Sequence, residues 1–350
     1  MLDFTGFGWI IFWVFALAAA GAALWWSGTL KRRTSSAPQL YTDALRALVE
    51  GDDQLAFERL KATVSEDSNN LDAYIKLGDL LRKRGHVERA IRVHEDLTLR
   101  LGLPPKGQIA VHQSLALDHI AAEAWRDAES SLRKILSLDD HHLWAREQLV
   151  AVLERSKRYD DAYEVCRNGG GRGRDQVLAR LKTLEAGEVT RAGRPHDARV
   201  LYKDALKHDD HHLAALLGIG DAYRNEGRLD DAVEWWTRYA ETAPKDAHVI
   251  FDRLERALFE LGQFGEITAF YDRILESDPS NTAALVALGD LALKKGERET
   301  AQRHYRQALD INPNDLSARA GLIRILAQQK RFDLVGEEIE GLLASAAGGR

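Results

Sequence analysis

Cysteine is almost absent from the 350-residue sequence, in which Cys166 is the single thiol. One thiol excludes intramolecular disulfides, thiolate metal cages and CxxC redox chemistry. The same residue is a poor candidate for a nucleophile, because it falls where a helix of the repeats described below should bury a core side chain. We therefore expect Cys166 to pack.

A basic surplus is also lacking. The chain has 48 Lys and Arg against 54 Asp and Glu, with a formal net charge of −6. Non-specific nucleic-acid binding draws its affinity from neutralised phosphates, so this balance disfavours nucleic acid as a partner. A content of 45% hydrophobic and 29% charged residues is typical of a folded chain.

Motifs of catalysis are missing as well. The sequence contains no GxSxG, no HExxH, no Walker motif and no dinucleotide fingerprint. It predicts a protein that is not an enzyme, with no catalytic residues, no bound metal and no cofactor.

Two near-identical histidine segments are the strongest candidates for chemistry. Asp-Asp-His-His-Leu occurs at 139–143 and again at 209–213. Two carboxylates beside two imidazoles could hold a divalent metal. Both copies occupy the same place in a repeat as Asp278-Pro279, however, which favours duplicated turns whose aspartates cap helices.

Ionisable side chains are absent between Phe4 and Leu30, and positions 7–26 form the most apolar stretch. At about 1.5 Å per residue this stretch matches the thickness of a bilayer core, so residues 1–30 are predicted to be a transmembrane anchor followed by a linker, 31–36. A cleaved signal peptide is the alternative, but no basic region precedes the apolar run. The predicted interface tryptophans and the basic stop that keeps the following chain in the cytoplasm are Trp9, Trp13, Trp25, Trp26, Lys31, Arg32 and Arg33.

One unit repeats through the rest of the chain. Leu77-Gly78-Asp79 is followed by Gly85, Ala90 and His94, and the same spacing recurs around Gly220-Asp221 and Gly289-Asp290. This spacing is typical of the tetratricopeptide repeat, a pair of helices that spans about 34 residues. Nine copies are marked, at nearly equal steps along the chain, by Ala56, Ala90, Ala128, Ala162, Ala198, Ala232, Ile267, Ala301 and Val335.

The repeats predict an all-α solenoid over residues 37–346, with a tail at 347–350. Glycines such as Gly85 and Gly227 follow the first helix of a repeat, where a left-handed cap needs no Cβ. The helix glycines Gly78, Gly220 and Gly289 are expected to face the small residues that mark the second helix. Four extra residues enter the repeat near 102–105, and two more near 168–174.

First helices of such repeats line a concave face, which is the expected site of protein binding. The charged residues that should lie on this face are mixed in sign, as a peptide-binding groove or an ordinary solvated face would be. They are Asp79, Arg82, Lys83, Asp221, Arg224, Asp290 and Lys294.

Residues 77–94, LGDLLRKRGHVERAIRVH, closely resemble an early repeat of the lipopolysaccharide assembly protein B family. The order of one membrane helix, paired basic residues and nine repeats resembles that family too. The resemblance implies an inner-membrane, single-pass adaptor with cytoplasmic repeats. Such an adaptor helps a membrane-bound protease to degrade the deacetylase that commits carbon to lipid A.

One feature departs from that family, whose members end in a rubredoxin-like module with four cysteines. This chain ends at Gly348-Gly349-Arg350 and has only Cys166, so the module is expected to be lacking. An assembly factor for another cell-envelope complex, such as a secretion or cytochrome-maturation machine, is therefore the alternative function. The client and the oligomeric state stay open at this point.

Overall fold

The computed structural model describes residues 36–170 and 173–347. The predicted membrane anchor and basic stop, residues 1–33, lie outside this range. Among the helices that are described, none combines the length and the apolar character needed to cross a membrane.

Helices account for nearly all of the described chain, and no β-strand occurs in it. In chain order the α-helices are α1 (Ala37–Glu50), α2 (Asp53–Glu66), α3 (Leu71–Lys83), α4 (Val87–Thr98), α5 (Pro105–Ala121), α6 (Trp125–Leu138), α7 (Leu143–Arg155), α8 (Tyr159–Arg167), α9 (Arg174–Arg191), α10 (Pro195–Leu206), α11 (Leu213–Asn225), α12 (Leu229–Thr242), α13 (Phe251–Glu260), α14 (Phe264–Ser277), α15 (Thr282–Lys294), α16 (Arg298–Ile311), α17 (Leu316–Gln328) and α18 (Phe332–Ala347).

These 18 helices of the described range form nine successive hairpins, which confirms the all-α prediction. The first helix of the seventh hairpin is split, because the 3₁₀ segment Pro244–Ile250 precedes the shortened α13. The chain divides into two compact units, unit 1 (residues 1–145) and unit 2 (residues 146–350).

The repeat markers lie in the core of the hairpins. Seven of the nine are alanines without solvent exposure, and Ile267 is also buried. Small residues at these points let the two helices of a hairpin approach closely. Within each unit, the apolar stripe of one hairpin is covered by the next, so stacking supplies the core.

The turn between the two helices has one backbone conformation in all nine hairpins. Six of these turns place glycine in the left-handed region, for example Gly85 at φ 80°, as the sequence predicts. The other three turns place Glu123, Lys157 and Lys330 there, at φ 56° to 60°. Non-glycine residues rarely adopt this conformation, so these three turns are strained.

The prediction that helix glycines face the marker alanines is wrong by one helical turn. A Cβ on Gly78 would lie 2.4 Å from His94 Nε2, and one on Gly220 would lie 2.4 Å from Trp236 Nε1. Gly289 meets Tyr305 in the same way. These glycines therefore make room for a large side chain four residues after the alanine, which is why no Cβ is tolerated there.

Candidate protein-binding site

In unit 1 the predicted groove residues are engaged within the unit itself. The guanidinium of Arg82, on α3, contacts Asp79 at 2.8 Å and Asp118 of α5 at 2.6 Å. The next residue, Lys83, contacts the carboxylate of Asp53 at 2.8 Å. Arg82 and Lys83 therefore bridge α3 to neighbouring helices, while Asp79 pairs within α3.

Arg82 also belongs to a buried network that the sequence did not predict. His94 Nδ1 lies 2.6 Å from a carboxylate oxygen of Asp118, and both side chains are fully buried. His94 Nε2 lies 3.0 Å from the backbone carbonyl oxygen of Ile75. Both ring nitrogens of His94 therefore face hydrogen-bond acceptors inside the unit.

A sequence signal for this network exists. Counted from the marker alanine, Asp118 occupies the register in which other repeats have Leu80 or Ala222, both of which are buried. An acidic residue in an apolar register requires a buried partner, and here it has Arg82 and His94. The register alone could have identified Asp118, although not its partners.

In unit 2, Asp221, Arg224, Asp290 and Lys294 lie on first helices, as predicted, with Arg224 exposed. Three acid–base contacts link successive first helices, and we call them the ion ladder. Asp221 of α11 contacts Arg253 of α13 at 3.2 Å. The other two contacts join Glu255 to Lys294 at 4.0 Å and Asp290 to Arg324 at 3.5 Å.

Burial shifts the pKa of one ladder carboxylate and of two tyrosines that contact the ladder. Burial raises the pKa of Asp221, and the positive charge of Arg253 opposes this shift. Tyr305 donates a 2.7 Å hydrogen bond to Asp290. The pKa of the Tyr305 hydroxyl is raised mainly by burial and also by this hydrogen bond. The pKa of Tyr271 is raised in the same way by burial and by its hydrogen bond to Glu255. Both phenols therefore stay protonated and serve as donors that fix the carboxylates.

Two clefts open beside the ladder and share Asp252, Glu255 and Lys294. The polar cleft, of about 360 Å³, extends to Asp290 and to Ser317 at the start of α17. The aromatic cleft, of about 720 Å³, is bounded by α13, α14 and α15. Its apolar lining consists of Phe259, Phe264, Ile267 and Leu291.

The aromatic cleft exposes two large apolar side chains. Phe259 is 66% exposed and Phe264 is 53% exposed, and their rings pack edge to face with centroids 5.2 Å apart. Exposed aromatic pairs in a concave, charged surround are typical of protein-binding surfaces. Phe259 occupies the register of Arg82 and Arg224, so the repeat alignment could have identified it as a groove residue.

The histidine segments form turns. Asp139 accepts a 3.1 Å hydrogen bond from the backbone N–H of His141, and Asp209 accepts one of 3.2 Å from that of His211. The cap at the start of α7 is His142 and not an aspartate, since its Nδ1 accepts from the backbone N–H of Ala145 at 3.2 Å. Within residues 36–170 and 173–347, no three His, Cys, Asp or Glu side chains are grouped so that they could hold a metal.

Cys166 lies half-buried on α8, near the end of the helix. Burial raises the pKa of its thiol, although nearby arginines such as Arg174 oppose the shift. A raised thiol pKa reduces the thiolate fraction at neutral pH, as expected for a packing residue.

Comparison with known families confirms the repeat assignment. Tetratricopeptide repeat profiles match residues 73–106, 190–250 and 292–348. Such repeats bind proteins, so the partners that they indicate are proteins.

Among curated proteins, the chain is similar to lipopolysaccharide assembly protein B of Escherichia coli (strain K12). The two are 22% identical over 276 residues, which cover 78% of this chain and 71% of that protein. The protein of the same name from Haemophilus influenzae is 23% identical over 72% of this chain and 64% of its own length. Among solved structures, a tetratricopeptide repeat protein from Parabacteroides merdae is 15% identical, covers 83% of this chain and 99% of its own, and has a TM-score of 0.34.

Proposed function

We propose that this chain is a non-enzymatic adaptor of the inner membrane, with its repeats in the cytoplasm, that regulates lipopolysaccharide synthesis. In this role it presents a client enzyme of lipid A synthesis to a membrane protease. Similarity to lipopolysaccharide assembly protein B over 78% of the chain supports the pathway. The uncharged segment at residues 4–30 and the basic residues Lys31, Arg32 and Arg33 support the membrane location.

The observation that carries the adaptor proposal is the exposed pair Phe259 and Phe264 in the aromatic cleft. An apolar side chain of the client would insert against this pair and bury aromatic surface, which supplies most of the affinity at protein interfaces. Asp221, Arg224, Asp290 and Lys294 would lie at the rim, where charges select among partners more than they add affinity.

The sharpest test of the adaptor proposal removes the aromatic pair. The full chain carrying Phe259→Ser and Phe264→Ser should lose its partners in a crosslinking pull-down from membranes. Phe332→Ser is the matched control, because Phe332 is 68% exposed in the same unit but lies outside both clefts. Equal recovery of partners by the double variant and by wild type would remove the cleft from the proposal.

The pathway and the membrane location have separate tests. After depletion of the protein, the half-life of the deacetylase that commits carbon to lipid A should lengthen, and an unchanged half-life would remove that client. Recovery of secretion or cytochrome-maturation proteins in the pull-down would instead favour an assembly factor for another envelope complex. Full rescue of a deletion phenotype by residues 34–350 alone would contradict membrane confinement.

A further inference from the structure

Another pocket, separate from the two clefts of unit 2, lies in unit 1 at the connection between α4 and α5. It has a volume of about 380 Å³, and its lining comes from Thr98, from residues 100–103, from α5 and from Lys134 of α6. The step between marker residues is longest at this connection, from Ala90 to Ala128. The extra residues therefore build a cavity here instead of a plain turn.

The lining of this pocket is basic. Arg100 and Lys134 contribute two cations, His112 contributes an imidazole, and none of the nine lining residues is Asp or Glu. Within the part of the chain that the structure describes, neither Arg100 nor Lys134 forms an ion pair with a carboxylate. This pattern differs from unit 2, where Lys294 contacts an acidic neighbour.

Arg100 and the inserted loop are held in place before any ligand arrives. The guanidinium carbon of Arg100 lies 4.5 Å from the ring centroid of Tyr74, a cation–π contact that restrains the side chain. Gln108 Nε2 donates a 2.9 Å hydrogen bond to the carbonyl oxygen of Leu103, which fixes the loop against α5. A preorganised cation loses little entropy on binding an anion.

His112 is the third basic side chain of the pocket lining. Burial lowers the pKa of its imidazole, and the charge of Lys134 lowers it further. The Nδ1 atom of His112 is buried without a hydrogen-bond partner in the described structure. Buried polar atoms are normally paired, so Nδ1 of His112 keeps an unused hydrogen-bonding capacity at the pocket wall.

We propose that this pocket binds a phosphoryl anion, either as a soluble phosphate monoester or as the headgroup of a phospholipid. A phosphate monoester carries a charge of about −1.5 to −2 at neutral pH, which matches the two cations Arg100 and Lys134. The cavity is larger than one phosphate group, so it also accommodates the group that the phosphate is attached to. Leu99 and Leu101 lie exposed next to Arg100 and offer apolar contact to an acyl chain.

The test titrates the full chain with inorganic phosphate, glycerol 3-phosphate and dioctanoyl phosphatidic acid by calorimetry. Arg100→Gln and Lys134→Gln should each weaken binding about tenfold, because each removes a charge-assisted hydrogen bond. Lys106→Gln is the matched control, since Lys106 is an exposed lysine of α5 outside the pocket lining, and it should bind as wild type does. Binding should also raise the pKa of the His112 imidazole in a titration followed by NMR.

The outcomes separate the two sources of phosphate. Tight binding of glycerol 3-phosphate supports a soluble ligand. Binding that is tight only for dioctanoyl phosphatidic acid, and that Leu101→Ser weakens, supports a lipid headgroup. The proposal is overturned if no probe binds, or if Lys106→Gln weakens binding as much as Lys134→Gln does.

Discussion

At the scale of single residues, the left-handed turn residue is the most regular feature of the chain. All nine hairpins use this conformation, but only six of them have glycine at the turn. In the three turns without glycine, a Cβ in the left-handed region carries a steric cost of about 1–2 kcal/mol. The turn at Glu123 is the simplest to test, because this side chain is exposed.

Glu123→Gly should raise the free energy of unfolding by about 0.5–1 kcal/mol, because relief of strain exceeds the added entropy of the unfolded chain. The reverse change in an equivalent turn, Gly85→Ala, should lower it by about 1 kcal/mol. Urea unfolding of both variants measures the two shifts. Glu123→Ala, which keeps a Cβ, is the control and should leave the stability near that of wild type; an equal gain from it would disprove the strain argument.

The buried network around Asp118 predicts a second stability effect. Asp118→Leu should cost about 3–5 kcal/mol, because Arg82 and His94 would lose the carboxylate that both contact. Adding His94→Phe should recover part of that loss, since Phe resembles the aromatic residue that Trp236 provides in this register.

The measurement is a double-mutant cycle in urea. Asp79→Asn serves as the control because Asp79 is 37% exposed and its pair with Arg82 should contribute less than about 1 kcal/mol. Additive effects of Asp118→Leu and His94→Phe would show that the two side chains are not coupled.

The sequence predicts the turn residues better than the contacts that side chains make between helices. It placed the glycine turns correctly, because a left-handed cap is a local property of a short segment. It misjudged what Gly78 and Gly220 face, because the offset between two packed helices depends on how side chains interdigitate and not on spacing alone. It placed Lys83 on the first helix but could not show that this lysine pairs with Asp53, in the preceding repeat.

At the scale of elements, the helix starts differ in how firmly they are fixed. Asn70 begins α3 by accepting from the backbone N–H of Ala73 at 3.0 Å. Asn281 does the same for α15 through Ala284, also at 3.0 Å, and in addition donates to the carbonyl oxygen of Pro244 at 2.8 Å. Asn281 is buried, so it joins the cap of one helix to the start of the preceding 3₁₀ segment.

Asn281→Ala should therefore cost more than Asn70→Ala, although both remove one cap. We expect a loss of about 1 kcal/mol for Asn70→Ala and about 2 kcal/mol for Asn281→Ala, which also leaves the part-buried carbonyl of Pro244 without its donor. Chemical denaturation of the two variants measures the difference. Equal losses would mean that the bond to Pro244 contributes nothing.

Helices were predictable because eight successive intervals repeat one period, and apolar spacing within each copy is helical. The split in the first helix of the seventh hairpin could not be predicted from this periodicity. Pro244 and the residues after it adopt a 3₁₀ segment before α13, and the choice between 3₁₀ and α geometry depends on contacts such as that to Asn281.

At the scale of the whole molecule, stacked repeats predict that damage stays local, because each hairpin contacts only its neighbours. Gly289→Ala would place a Cβ 2.5 Å from Tyr305 Cε1, so the hairpin of α15 and α16 must open. Hydrogen exchange should accelerate in α15 to α17 and stay unchanged in α1 to α5.

Gly187→Ala is the control for this experiment. Its Cβ would meet only the flexible guanidinium end of Arg191, at 3.8 Å, and alanine favours the helix over glycine. Exchange should then be unchanged or slower in α9. A uniform acceleration along the chain in Gly289→Ala would contradict local damage and indicate one cooperative unit.

The candidate site was only partly predictable at this scale. The positions of Asp290 and Lys294 on a first helix follow from the repeat register. Phe259 and Phe264 were missed because an aromatic side chain gives no sign in the sequence of whether it is buried or exposed. The register of Phe259 places it on a first helix, and its exposure is seen in the structure. The basic pocket was missed because Arg100, in the connection between α4 and α5, and Lys134, on α6, meet through an insertion of four residues that the repeat pattern does not contain.

The ion ladder has a consequence for the speed of recognition. Its acidic and basic groups neutralise one another between successive helices, as Asp221 and Arg253 do. Paired charges leave less field to attract a charged client from a distance, so we expect association near the unsteered rate of about 10⁵–10⁶ M⁻¹s⁻¹. Association would then depend weakly on ionic strength, and differences among clients would arise from how slowly each one leaves the aromatic cleft.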